Sequence, residues 1–73
     1  MIKKQVGERI KAIRHSKKQS QEYAALNAEL DRTYWASVES GKRNISIINL
    51  QKICKSFGMS LKDFFDSDIF NGE

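Results

Sequence analysis

Apolar residues along this 73-residue chain recur at helical spacing, not strand spacing. Val6, Ile10 and Ile13 fall at i, i+4 and i+7, one helical face, with Lys and Arg on the opposite face. This predicts a first helix over about residues 3–17. Ser20 can cap a second, short helix over about 21–28, its hydroxyl accepting from an early backbone N–H. The small residues Ala24, Ala25 and Ala28 would let another helix approach closely. Glu29-Leu30 stands where a turn is needed. Asp31 is the next cap candidate and opens a third helix over about 32–40, with Leu30, Trp35 and Val38 turned inward. Gly41 is a natural stop, since glycine takes a left-handed conformation without a Cβ clash. Ser46 caps a fourth helix over about 47–57, in which Ile47, Leu50, Ile53, Cys54 and Phe57 keep helical spacing. Gly58 ends it, and Ser60 caps a fifth helix over about 61–65. No stretch alternates polar and apolar residues as a strand would. The expectation is an all-α chain of five short helices in one domain, residues 1–73.

Composition adds little except in the placement of charge. The hydrophobic fraction is 40% and the charged fraction 30%, in the range of a soluble globular domain, and a chain this short is marginally stable alone. The net charge is +4. Residues 1–18 hold seven basic residues (Lys3, Lys4, Arg9, Lys11, Arg14, Lys17 and Lys18) against Glu8 alone. Such a segment suits a polyanion such as DNA, and equally a solvated helix face with no partner. Cys54 is the only cysteine, which excludes an intramolecular disulfide and a cysteine-based metal cluster. It falls in an apolar run, where a buried, inert thiol is expected. No run approaches transmembrane length and the start of the chain lacks the apolar core of a signal peptide. A cytoplasmic location is therefore expected.

Little else in the chain has chemistry to offer. His15 is the only histidine; it sits among basic residues without ligand partners at metal spacing. There is no nucleophile motif, glycine-rich phosphate loop or recognisable acid pair. The expectation is a non-enzyme without metal, cofactor or small-molecule ligand. The acidic tail, Asp66–Glu73, still holds Ile69 and Phe70; it can fold back, meet a second subunit or fray.

Residues 21–40 read more specifically. Two short helices joined by a three- to four-residue turn form a helix-turn-helix, whose second helix enters the DNA major groove. Its outward side chains over the first turn and a half are Arg32, Thr33, Ala36 and Ser37. Arg32 can donate two hydrogen bonds to guanine O6 and N7. Thr33 offers a methyl group for thymine and a hydroxyl for a base or phosphate, and Ser37 the same hydroxyl chemistry one turn on. Gln21, opening the preceding helix, suits a phosphate. Lys42, Arg43 and Asn44 form a loop that grips the DNA backbone or is an ordinary solvated turn.

The segments GERIKAIR, SQEYAA, LDRTYWASVESGKRN and LQKICKSFGMSLKDFF, spanning residues 7–65, carry a resemblance. The chain resembles the phage repressor and Cro-like (Xre-type) helix-turn-helix family. Within it, LDRTY followed by an acidic residue, a glycine and RN-x-S is especially similar to the controller proteins of restriction–modification systems. The resemblance implies a compact five-helix, lambda-repressor-like domain that binds a palindromic operator in double-stranded DNA as a homodimer. It implies base reading by Arg32, Thr33 and Ser37, and backbone contacts from Gln21, Tyr34, Arg43 and Asn44, beside Lys42 in the same loop. It also implies a partly buried ion pair between Arg14 and Glu39. Three positions depart from the family pattern: Ala24 replaces leucine, Trp35 replaces isoleucine, and Glu29 replaces a turn glycine. Trp35 is expected to fill the space Ala24 leaves, and Glu29 to adopt a left-handed conformation or reshape the turn. Leu61, Phe64, Phe65, Ile69 and Phe70, in the segment 58–73, are apolar candidates for the dimer surface; the monomer's own core is the other use for them. The competing function is an antitoxin-like protein-interaction module that also binds DNA.

Overall fold

The structure is a computed structural model that describes residues 1–71. Five helices, α1 (Ile2–Ser16), α2 (Gln21–Asn27), α3 (Arg32–Glu39), α4 (Ile47–Ser56) and α5 (Leu61–Phe65), precede a single 3-10 turn, Asp68–Phe70. Each differs from its expected span by at most one residue at either end. The side chains chosen as caps all act as caps. Ser20 accepts from the Tyr23 amide at 3.1 Å, Asp31 from Thr33 at 2.9 Å and Tyr34 at 3.2 Å, Ser46 from Asn49 at 3.1 Å, and Ser60 from Asp63 at 3.0 Å. Each satisfies an early amide that lacks an intrahelical partner.

The first four helices share one way of ending. A residue with positive φ follows each: Lys18 (57°), Glu29 (59°), Gly41 (79°) and Gly58 (73°). The next amide then reaches back five residues, Gln19 to Arg14 at 3.1 Å, Leu30 to Ala25 at 2.9 Å, Lys42 to Ser37 at 3.1 Å and Met59 to Cys54 at 3.0 Å. This hydrogen-bond pattern closes the last turn and reverses the chain. Glycine adopts it freely, whereas Lys18 and Glu29 each store strain of about 1 kcal/mol or more. Glu29 thus adopts the left-handed conformation itself, and the chain reverses there as it does after the other helices.

One core joins the helices: Val6, Ile10 and Ile13 from α1, Ala24 and Ala25 from α2 with Ala28 at its end, Trp35 and Val38 from α3, Leu50, Ile53 and Cys54 from α4 with Phe57 at its end, and Phe64 from α5. The Trp35 indole is fully buried in the same cluster as the small α2 residues and meets the Phe57 ring edge-on at 6.0 Å. Gly7 permits the α1–α3 crossing. A Cβ there would lie 2.5 Å from the carbonyl oxygens of both Val38 and Glu39, so backbone would have to move. Burial pushes the Cys54 thiol pKa above its ordinary value, although the Arg9 charge opposes this, which leaves an unreactive thiol.

Three expectations need correction. Ile47 keeps helical spacing but is 66% exposed, because it occupies the first turn of α4, beyond the reach of the core. Phe64 is completely buried and belongs to the monomer core, not to a dimer surface. Arg9 is not on a solvated basic face. Its Nε and Nη2 donate to the Phe64 and Asp63 carbonyls at 2.7 and 2.9 Å, and its guanidinium lies over the Phe64 ring. It therefore fastens α1 to the end of α5, satisfying carbonyls the short helix cannot. The tail folds back: Gln5 Nε2 donates to the Ile69 carbonyl at 3.0 Å, and the Phe70 ring centre lies 4.9 Å from that of Phe65. Residues 72 and 73 of the expected dimerisation segment lie outside the described residues. No helix among the described residues is long and apolar enough to cross a membrane.

Candidate nucleic-acid interface

The Asp31 cap fixes where α3 starts and hence which side chains its first turn presents. Arg32 and Thr33 are exposed, and neither side chain has a hydrogen-bond partner among the described residues. Ala36 and Ser37, one turn on, are half-buried, so Ser37 presents a shorter and less accessible hydroxyl. Trp35, Val38 and Glu39 form the buried back. A face with unengaged donors at its N-terminal end, backed by a packed side, is the form that enters a major groove.

Glu39 anchors this helix. Its carboxylate accepts from Arg14 Nε at 2.5 Å and Nη2 at 3.0 Å, from Trp35 Nε1 at 2.6 Å and from Gln21 Nε2 at 3.0 Å. One buried acid thus ties α1, α2 and α3 together. Of the two additional donors, Trp35 and Gln21, only Trp35 left a signal in the sequence. The indole sits one helical turn before Glu39, a spacing at which side chains meet on the same face. That signal was available, but tryptophan at a core position reads first as bulk. Gln21 is half-buried with its amide nitrogen on Glu39, so one N–H and the amide oxygen remain for a phosphate or base.

Burial pushes the Glu39 pKa up, but the hydrogen bonds from Arg14, Trp35 and Gln21 and the Arg14 charge outweigh it, and the carboxyl stays below its ordinary value of 4.5. A carboxylate with a depressed folded-state pKa stabilises the fold fully above its unfolded value. That contribution disappears as pH falls through the folded value. The stability gap between the native protein and Glu39→Gln should therefore be widest near neutrality and shrink below pH 4.5. Urea unfolding of both proteins from pH 7 down to about pH 3 checks this window; a gap that widens in acid would contradict it.

The remaining expected contacts surround α3. Lys42, Arg43 and Asn44 are exposed on the loop after Gly41. Tyr34 is half-buried. Its phenol oxygen accepts from Asn49 Nδ2 at 3.0 Å, and the Arg43 guanidinium lies over its ring, 5.3 Å from the centre. Of the basic residues in α1 and the turn after it, Arg9 and Arg14 are engaged internally, and five lysines remain exposed. Lys11 borders a shallow depression between α1, α2 and α3 that is also lined by Gln21, Ala36 and Ser40. Leu61, Ile69 and Phe70 are half-buried and Phe65 is exposed. Ile2, Ile47 and Ile48 are more exposed than any of them. Ile2 and Phe65 share an apolar groove of about 200 Å³ with Val6, Ile45 and Leu50. Among the described residues, no three His, Cys, Asp or Glu side chains gather where they could hold a metal ion.

A helix-turn-helix family model matches residues 10–64. The control protein C.MunI of a Mycoplasma species is 46% identical over 69 residues, covering 93% of this chain and 92% of that protein. Among solved structures, the restriction-modification controller protein C.AhdI from Aeromonas hydrophila has a TM-score of 0.83 at 33% identity, over 86% of this chain and 96% of that one. The controller protein C.Esp1396I, solved as a tetramer with its natural 35 base-pair operator, has a TM-score of 0.85 at 36% identity, over 90% of this chain and 87% of that one.

Proposed function

Since this chain belongs to the helix-turn-helix family and, within it, to the controller proteins of restriction–modification systems, we propose that it is a transcriptional regulator that binds a palindromic DNA operator as a homodimer. The observation that carries the reading is the exposed, unengaged pair Arg32 and Thr33 on the first turn of a helix held by Asp31 and Glu39. In this reading Arg32, Thr33 and Ser37 face base edges, and Arg32 supplies the largest part of the sequence discrimination. Gln21, Tyr34, Lys42, Arg43 and Asn44 hold the phosphate backbone on either side of α3. The exposed lysines of residues 1–18 add sequence-independent attraction. The antitoxin-like alternative is not retained, because the relatives are control proteins. The chain works by binding, not catalysis, and its place is the cytoplasm, where its DNA is.

The dimer surface in this reading centres on Phe65, with the half-buried Leu61, Ile69 and Phe70 beside it and Phe64 supporting it from the core. Ile2, which is exposed and shares a groove with Phe65, extends it, since exposed apolar residues of this size on a small domain mark an interaction surface. Selection from a random duplex pool tests the function. It should enrich inverted repeats whose half-sites lie about one helical turn, or roughly 10 base pairs, apart. A pool with no enriched sequence, or with single unrepeated sites, would count against it.

A further inference from the structure

Tyr34 carries an unexpected partner, and the direction of that hydrogen bond has a consequence. Asn49 Nδ2 donates to the phenol oxygen at 3.0 Å. An amide N–H carries the hydrogen, so the phenol acts as the acceptor and its own O–H is left to donate elsewhere. Tyr34 is half-buried at the edge of α3, and the Arg43 guanidinium lies 5.3 Å from its ring centre. A hydroxyl donor and a cation therefore stand side by side between the recognition helix and the loop that follows it. Both suit one kind of acceptor, an anionic oxygen of the DNA backbone.

We propose that Asn49 is a positioning residue for DNA binding: its amide holds the Tyr34 phenol so that the O–H points at a backbone phosphate beside the one that Arg43 approaches. This rests on the DNA-binding reading above and adds α4 to the elements that shape the interface. Asn49 is suited to the task because nothing else uses its side chain. The Ser46 cap takes its backbone amide at 3.1 Å, and its amide group has no other partner among the described residues. Accepting from Asn49 also polarises the phenol, which strengthens its donation to phosphate.

The test is a double-mutant cycle on operator affinity with Tyr34→Phe and Asn49→Leu in the full chain. Each single variant should keep the thermal midpoint; Tyr34→Phe should bind about 10- to 100-fold more weakly, the range of one hydrogen bond to a charged group, and Asn49→Leu should lose part of the same affinity. In the Tyr34→Phe background, Asn49→Leu should cause no further loss, because no hydroxyl remains to be positioned. The loss should be equal for the operator and for unrelated duplexes, as a phosphate contact requires. The salt dependence should be unchanged for Asn49→Leu, whereas Arg43→Ala should flatten its slope by about one. Full additivity of the two variants would overturn the positioning role, as would wild-type affinity in Asn49→Leu. A loss confined to particular base pairs would overturn the phosphate assignment. Wild-type protein that binds no duplex at all would instead overturn the DNA-binding reading beneath it.

Discussion

Glu39→Ala is expected to lower folding stability by about 3–5 kcal/mol, because it leaves the Arg14 guanidinium buried without its counter-charge. The carboxylate accepts four hydrogen bonds, from Arg14 twice, Trp35 and Gln21. Its removal leaves the indole N–H without an acceptor inside the core, where an unmade hydrogen bond costs more than a made one contributes. A small domain has about 5–15 kcal/mol in total, and a chain this short lies toward the low end, so the variant should lose a large share of its stability. Helical circular dichroism against urea measures this directly. A midpoint within error of the native protein would mean that the three-helix junction is not held at Glu39. Glu39→Gln should fall between the two, since its amide oxygen still accepts while the ion pair is lost.

Trp35→Ala is expected to cost a similar amount, about 3–5 kcal/mol, by a different mechanism. The indole is 1% exposed and sits in the cluster that contains Ala24, Ala25 and Ala28. These small residues give the site little with which to refill the space, so most of the cavity should persist. The Trp35→Phe variant separates volume from hydrogen bonding. It keeps an aromatic ring and loses the 2.6 Å bond to Glu39, a loss of about 1.5–3 kcal/mol for a hydrogen bond to a charged group. Thermal unfolding should therefore rank native, Trp35→Phe, then Trp35→Ala. An unchanged melting temperature in Trp35→Ala would remove the idea that the ring compensates for the small α2 residues.

These two residues also show which parts of the molecule were legible in the sequence. Helix boundaries were, because they are set by local chemistry: Ser20, Asp31, Ser46 and Ser60 bond amides two or three residues away. Gly41 and Gly58 mark left-handed stops for the same local reason. The stop at Lys18 was not legible, because nothing about a lysine announces a positive φ. Long-range polar contacts were harder. Arg9 reads as one more cation on a basic helix, and only the fold brings it to the carbonyls at the end of α5. Gln21 reads only as a phosphate contact, and Asn49 carries no signal at all, until α2 meets α3 and α4 meets α3. Phe64 could not be separated from Phe65 because a five-residue helix has too few turns to define a face. Arg32 and Thr33 were readable for the opposite reason: their exposure follows from the burial of Trp35 and Val38 on the same short helix.

The central claim is that α3 reads bases through Arg32. Its most direct test is the affinity of Arg32→Ala for the selected operator and for a set of duplexes carrying each single base-pair change. The variant should melt like the native protein, because Arg32 has no internal partner among the described residues. It should bind the operator about 10- to 100-fold more weakly per half-site, and become indifferent to one guanine–cytosine pair in each half-site, the discrimination of about 1–3 kcal/mol that a bidentate arginine supplies. An Arg32→Ala protein that keeps native affinity and native discrimination at every position would contradict the claim.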